Sequence, residues 1–179
     1  MTAPVTAQMQ TLFGRWLGAV NLNVGLDSLV WEPGFVNVDR PGRPDVDLTC
    51  DSQTLSLALA NGSVDCILAR RVLERMTDLK AAIAEFHRLL KPGGYLIAVT
   101  PYASSDDAWE DPANVRAFTE RSWSYFPGYR LAALTLVPFA DLAPSSLAVV
   151  GDGAEFAVKK RFLRNVVREM HAVLEKVAP

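Results

Sequence analysis

A glycine and several charged or polar residues stand directly after the apolar segments in the first part of the chain. A glycine at such a place lets the backbone approach a ligand closely. An aspartate there can accept two hydrogen bonds from a ribose diol, or one from the exocyclic amine of a purine. Each residue alone is also an ordinary turn glycine or capping residue. The set consists of Gly25-Leu26-Asp27, Asp39, Asp51-Ser52, Arg70-Arg71 and Thr100-Pro101.

Apolar segments that alternate with helical or crossover segments would bring these residues to one edge of a sheet. Alternation of this kind is typical of a parallel sheet with helices on both faces. Such sheets bind ligands beyond the carboxyl ends of their strands, where the strand order reverses. We predict strands at 20–25, 35–39, 46–50, 64–69 and 95–100, a helix at 52–60, and a helix at 77–90 that is capped by Thr77 or Asp78.

The two ends of the chain predict amphipathic helices around one domain. Apolar residues at helical spacing favour an N-terminal helix within 1–19 and a C-terminal helix within 161–179, with the sheet core at 20–160. Between them we predict a short helix from 119 to 126, a strand at 129–139 and a hairpin around Asp152. No linker divides the chain, so 1–179 is predicted to be a single domain.

Composition excludes several classes of function. Half of the 179 residues are hydrophobic and the net charge is −2, which is ordinary for a globular protein and disfavours nucleic-acid binding. Cys50 and Cys66 lack a metal-ligand spacing and predict buried thiols in a reducing compartment, and the presence of only two, distant histidines disfavours a histidine-built metal site. No apolar run could span a membrane and the N-terminus is unlike a signal peptide, so we expect a cytoplasmic protein.

Several motifs together resemble small class I S-adenosylmethionine-dependent methyltransferases of the methyltransferase type 11-like kind. The resemblance covers about residues 21–126, and its Lys-Pro-Gly-Gly turn is the most specific part. The matching segments are Leu22-Asn23-Val24-Gly25, Gly34 to Asp39, Asn61 to Ala69 followed by Val72-Leu73-Glu74, Phe86 to Gly94, and Asp111-Pro112 with Arg116 to Thr119.

The resemblance implies a Rossmann-like, doubly wound α/β fold with S-adenosylmethionine as cofactor. The sheet would have seven mostly parallel strands, the last one antiparallel and supplied by the hairpin around Asp152. Asp39 would hold the ribose hydroxyls, Asp51 the adenine amine, and residues 69–71 would face the methyl group and the substrate. The implied cofactor residues are Asn23, Gly25, Leu26, Asp27, Asp39, Asp51, Ser52, Ala69 and Arg70, and the implied acceptor residues are Arg71, Asn114, Arg116 and Trp123.

The sequence departs from the family at two places. The first loop reads Gly25-Leu26-Asp27 instead of Gly-x-Gly, and Asp27 would either repel the cofactor carboxylate or face its ammonium. Arginines at 70, 71 and 75, and Asn114, replace frequent histidines. Arginine is no general base but can bind an anion, form salt bridges with Glu74 and Asp78, or bind a partner. Trp123 either packs over the sheet edge or joins a substrate cage, and Glu74 is interpreted as an acid at a helix start.

These features leave two hypotheses open. The first is a methyltransferase that acts on a small, anionic acceptor, since methyl transfer needs mainly proximity and alignment. The second is a catalytically inactive protein on the same fold, a structural or partner-binding subunit of a larger assembly. In either case the amphipathic terminal helices could mediate a homodimer or a protein contact. A dehydrogenase is disfavoured because Gly25 is the sole glycine of the required Gly-x-Gly-x-x-Gly motif.

Overall fold

Seven strands form one mixed sheet in the computed structural model, which describes residues 7–25, 31–43, 46–50, 57–139 and 164–177. The strand order is β3-β2-β1-β4-β5-β7-β6. Strand β7 runs in the direction opposite to the other six strands. This confirms the predicted doubly wound, mostly parallel sheet. The strands are β1 Asn21–Val24, β2 Val36–Asp39, β3 Leu48–Thr49, β4 Val64–Arg70, β5 Leu90–Pro101, β6 Tyr129–Pro138 and β7 Val167–Lys176.

The two faces of the sheet carry separate apolar clusters. Helix α2, Leu79–Leu89, covers one face and buries Ile83 and Phe86 in the larger cluster. Its first turn is capped by Asp78, whose carboxylate accepts a hydrogen bond from the backbone N of Ala81 at 3.0 Å. Helix α1, Ala7–Phe13, places Phe13 in the smaller cluster on the other face. Of the two predicted caps, the structure selects Asp78.

The predicted C-terminal helix within 161–179 is wrong, because Val167–Lys176 is strand β7. Strand β7 lies between β5 and β6, with both of its faces covered, so Met170 and Val173 are buried on opposite sides. A strand that is apolar on both faces lacks the alternation that identifies a strand, and its apolar residues then match helical spacing by chance. The antiparallel strand therefore comes from 167–176, and the predicted hairpin around Asp152 lies outside the described residues.

The other helix predictions need smaller corrections. The N-terminal helix is shorter than predicted: α1 ends at Phe13, and a 3-10 turn, Gly14–Trp16, follows it. A side chain at Gly18 would place its Cβ 2.3 Å from the Cβ of Asp65, so the backbone packs tightly against Asp65 there. The predicted helix at 52–60 is not seen over 57–60, and 51–56 lie outside the described residues. The predicted helix after Thr119 is a 3-10 helix, Glu120–Tyr125.

Both cysteines are free and buried, as predicted. Burial raises the pKa of the Cys66 thiol to about 12, so this thiol stays protonated at neutral pH. Among the described residues no helix is long and apolar enough to cross a membrane.

Candidate functional site

The strand order reverses between β1 and β4, and the carboxyl ends of β1, β2, β4 and β5 meet at the same edge of the sheet. This edge is where open α/β sheets bind ligands. Gly25 follows β1 directly, and its backbone N donates a hydrogen bond to the carbonyl of Val38 at 2.8 Å. Asp39 is the next residue of β2, so the structure brings Gly25 and Asp39 together as the sequence predicts.

Asp39 is fully buried at the end of β2. Its Oδ1 accepts a hydrogen bond from the backbone N of Arg40 at 2.7 Å, and its Oδ2 lies 3.9 Å from Nε of Arg43. These contacts fix the orientation of the Asp39 carboxylate. The carboxylate lies beside the backbone of Gly25, and a buried acid next to a glycine is the arrangement that binds a ribose diol in sheets of this kind.

Four of the predicted cofactor residues cannot be located. Leu26, Asp27, Asp51 and Ser52 lie outside the described residues. The effect of Asp27 on the cofactor and the contact of Asp51 with adenine therefore stay predictions. Only residues 25–35 connect β1 to β2, and the described part of this connection, 31–35, contains no helix.

The side chain of Asn23 is engaged inside the sheet. Its Nδ2 donates to Oδ1 of Asn37 at 2.8 Å, and the backbone N of Glu32 donates to the same oxygen at 3.0 Å. Nδ2 of Asn37 in turn donates to the carbonyl of Glu32 at 3.2 Å. The structure thus makes Asn23 part of a buried polar network that fixes the turn before β2.

Glu32 is a residue of this edge that sequence reasoning missed. It is 6% exposed, and its Oε2 lies 3.9 Å from Nη2 of Arg70 at the end of β4. The pair lies at the reversal point between β1 and β4, next to Ala69, which is buried. A lone acid in the turn Trp31-Glu32-Pro33 carries no signal of burial, so only the structure could reveal it.

The arginines after β4 are paired with acids from distant parts of the chain. Nη2 of Arg71 lies 3.2 Å from Oδ2 of Asp107 and 3.3 Å from Oε2 of Glu169, and Arg75 lies 2.5 Å from Oδ2 of Asp111. His171 first, and Arg71 with it, hold the pKa of Glu169 below its usual range. These partners come from the loop after β5 and from β7, whereas the sequence predicted Glu74 and Asp78.

Glu74 lies in the 3-10 turn Leu73–Arg75, just after β4. It is 1% exposed, and neither carboxylate oxygen has a hydrogen-bond partner in any other described residue. Burial raises the pKa of Glu74 to about 7, although its own backbone N–H, Arg71 and Arg75 favour its charged form. A carboxyl group with a pKa in this range can hold or release a proton at neutral pH.

The remaining acceptor residues are anchored to the backbone or buried. Asn114 donates from Nδ2 to the carbonyls of Asp107 and Ala108 at 3.2 and 3.3 Å. Arg116 donates from Nη2 to the carbonyl of Met76 at 2.5 Å. Trp123 is 2% exposed and stacks on Phe118 at 5.1 Å between ring centroids, so the structure places it in the core.

A groove of about 870 Å³ runs beside α2, away from the crevice between β1 and β4. Its floor includes Ile83 and Phe126, and Lys80, His87 and the exposed Tyr125 line its rim. The predicted acceptor residue Arg116 lines it, but none of the predicted cofactor residues does, so we treat it as separate from the edge described above.

A family model described as a methyltransferase domain matches residues 34–98. Demethylmenaquinone methyltransferase of Renibacterium salmoninarum is 34% identical over 77 residues, which is 42% of this chain and 32% of that protein. The match therefore spans about a third of the length of this curated relative.

Solved structures share the fold at low sequence identity. A SAM-dependent methyltransferase from Archaeoglobus fulgidus superposes with a TM-score of 0.65 at 10% identity, covering 95% of this chain and 92% of that one. The putative methyltransferase in complex with the Haloferax volcanii Trm112 methyltransferase activator has a TM-score of 0.56 at 14% identity, covering 96% and 93%. Fold and family model together support a class I S-adenosylmethionine-dependent methyltransferase, which confirms the resemblance seen in the sequence. The domain match implies S-adenosylmethionine as the cofactor.

Proposed function

We propose that this protein binds S-adenosylmethionine and transfers its methyl group to a small acceptor. The observation that carries the proposal is the side-by-side placement of Gly25 and Asp39 at the point where the strand order reverses. The backbone of Gly25 lets a ligand come close, and the buried carboxylate of Asp39 beside it can accept hydrogen bonds from ribose hydroxyls. Together these two features suit a nucleoside ligand.

Each residue of the edge has a role in this proposal. Asp39 accepts hydrogen bonds from the ribose hydroxyls, and Gly25 leaves room for the methionine portion. Ala69 and Arg70 lie at the end of β4 and face the sulfonium centre, and Asp51, with Ser52 beside it, binds the adenine. The cofactor supplies an electrophilic methyl group when bound. The protein aligns the acceptor with it, which alone accounts for a large rate increase.

The acceptor residues limit the chemistry of the acceptor. Arg71 contacts both Asp107 and Glu169, and Arg75 contacts Asp111. An anionic acceptor, as the sequence predicted, would have to compete with carboxylates of the chain for these cations. The proposal is therefore methyl transfer to a small molecule, with an anionic acceptor as its less favoured form.

A partner-binding role is the second candidate. In the described part of the chain β6 is the outer strand of the sheet, ten residues long, and Leu131 on it is 42% exposed. Such an edge can pair with a strand of another protein or of a second copy. Because β7 replaces the predicted C-terminal helix, this edge replaces that helix as the surface for such a contact. Helix α1, with Leu12 46% exposed, remains the N-terminal candidate.

Calorimetric titration with S-adenosylmethionine and with S-adenosylhomocysteine tests the proposal. We expect micromolar binding of both and at least tenfold weaker binding by Asp39→Asn, in which an amide donor replaces one acceptor oxygen. Glu110→Gln, on an exposed side chain, is the matched control and should bind like the wild type. Absence of binding at millimolar ligand would overturn the enzyme proposal and favour the partner-binding role.

A further inference from the structure

Glu74 is a buried acid that the proposed function has not yet used. It follows β4 by four residues, close to the strand end where a methyl donor and an acceptor would meet. Its carbonyl accepts a hydrogen bond from the backbone N of Val115 at 2.9 Å, which fixes Val115 beside the turn that carries Glu74. The side chain is 1% exposed, so it is covered in this structure.

The buried carboxylate of Glu74 lacks hydrogen-bond donors from other described residues. Both carboxylate oxygens of Glu74 are buried without a hydrogen-bond partner in any other described residue. Both atoms are acceptors. Buried acceptors normally have partners, since leaving one unsatisfied costs about 1–3 kcal/mol.

The arginines that act on Glu74 also contact other carboxylates. Arg71 is paired with Asp107 and Glu169, and Arg75 with Asp111. The chain therefore presents buried acceptor oxygens whose neighbouring cations are shared with other acids. The ligand that completes such a site donates hydrogen bonds, as an amine or a hydroxyl does.

We propose that Glu74 receives the proton of an N–H or O–H methyl acceptor, an inference that rests on the proposed function. The acceptor nitrogen or oxygen forms a bond to the methyl carbon while the carbon–sulfur bond breaks. The electron pair of that bond stays on sulfur, which becomes a neutral thioether. The acceptor proton moves to a carboxylate oxygen of Glu74.

Two features of the environment suit this role. The pKa of Glu74 is raised to about 7, near the value that makes a general base effective at neutral pH. The charged groups that act on it are Arg71 and Arg75, which favour the ionised form, and Asp111, which opposes it.

A pair of nucleoside ligands tests the proposal without knowledge of the acceptor. Sinefungin carries an ammonium where S-adenosylmethionine carries its methyl-bearing sulfonium, whereas S-adenosylhomocysteine has no charge there. If the Glu74 carboxylate faces this position, sinefungin should bind more tightly than S-adenosylhomocysteine at pH 8. The preference should fall about tenfold in Glu74→Gln, because an opposite charge within about 4–6 Å is lost.

The same titrations include a pH readout and a control. In the wild type the preference for sinefungin over S-adenosylhomocysteine should also fall when the pH is lowered from 8 to 6, because Glu74 gains a proton. In Glu74→Gln this preference should not depend on pH. Glu110→Gln should behave like the wild type, and circular dichroism would verify that each variant is folded.

The outcomes separate the two proposals. If each ligand binds and the preference for sinefungin over S-adenosylhomocysteine is the same in the wild type and in Glu74→Gln, the role of Glu74 is overturned and the proposed function stays intact. If neither ligand binds the wild type, the proposed function fails and this inference fails with it.

Discussion

The carboxyl group of Glu74 should make the stability of the protein depend on pH. Glu74 is 1% exposed, and burial raises its pKa from the ordinary 4.5 to about 7. Between these values the folded protein holds a proton that the unfolded chain has lost, so stability falls as pH rises and levels off above about 7. The difference between the two pKa values corresponds to about 3 kcal/mol over the whole window.

Urea unfolding of the wild type and Glu74→Gln at pH 5 and pH 8 measures this effect. Relative to Glu74→Gln, the wild type should lose about 2–3 kcal/mol of unfolding free energy between the two pH values. Shifted groups such as Asp65, Glu85 and Glu169 titrate in both proteins, so their contributions cancel in the comparison. Glu110→Gln, which removes an exposed carboxylate, should follow the wild type. Parallel loss of stability in the wild type and Glu74→Gln would refute the argument that burial dominates at Glu74.

Three further substitutions test the packing and capping described above. Nζ of Lys91 donates a hydrogen bond to Oδ1 of Asp65 at 2.7 Å and lowers the pKa of this carboxyl, and Asp65→Asn removes the carboxylate. It should cost about 1–2 kcal/mol at pH 7, and because that stability is lost as pH falls below about 3.8, the wild type and variant should converge in acid urea titrations. Trp123→Ala should destabilise by about 3–5 kcal/mol in thermal unfolding, whereas Trp109→Ala, at a 63% exposed side chain, should cost less than about 1 kcal/mol. Asp78→Ala should cost about 1 kcal/mol by loss of the helix cap, and Thr77→Ala should cost only a few tenths.

Strands with a local signature could be predicted from the sequence. The β-branched run 64–69 and the segment before Pro101 each became a buried central strand. Capping chemistry and apolar spacing likewise located α2 within two residues at its start. These features depend on neighbours along the chain, which the sequence displays directly.

Features that depend on the sheet order could not be predicted. The apolar residues of strand β7 match helical spacing because the clusters on both sides of the sheet bury its two faces, and its place between β5 and β6 is a feature of the sheet order. The placement of Gly25 beside Asp39 was expected from the parallel order, since both follow adjacent strands. Sequence reasoning therefore located this part of the site and missed the residues brought to it from elsewhere.

The charged residues of the site illustrate the same limit. Arg71 was assigned to nearby acids, yet its partners Asp107 and Glu169 lie 36 and 98 residues away along the chain. The sequence favours Glu74 as an acid at a helix start, whereas the structure buries it to 1% exposure and bonds its carbonyl to the distant Val115. Ion-pair partners and desolvation depend on tertiary contacts, so neither can be inferred from spacing.

Amide chemical-shift mapping with S-adenosylhomocysteine tests the central claim most directly, because it locates the ligand on the sheet. We predict that the amide signals of Gly25, Arg40 and Arg70, at the carboxyl ends of β1, β2 and β4, shift with saturation at micromolar to millimolar ligand. The amide of Gly93, between the β5 residues Leu90 and Tyr95 that pair with β4, lies at the opposite end of that strand and should not shift. Unchanged signals at millimolar ligand, or changes confined to residues such as Ala84 in the groove beside α2, would contradict the account.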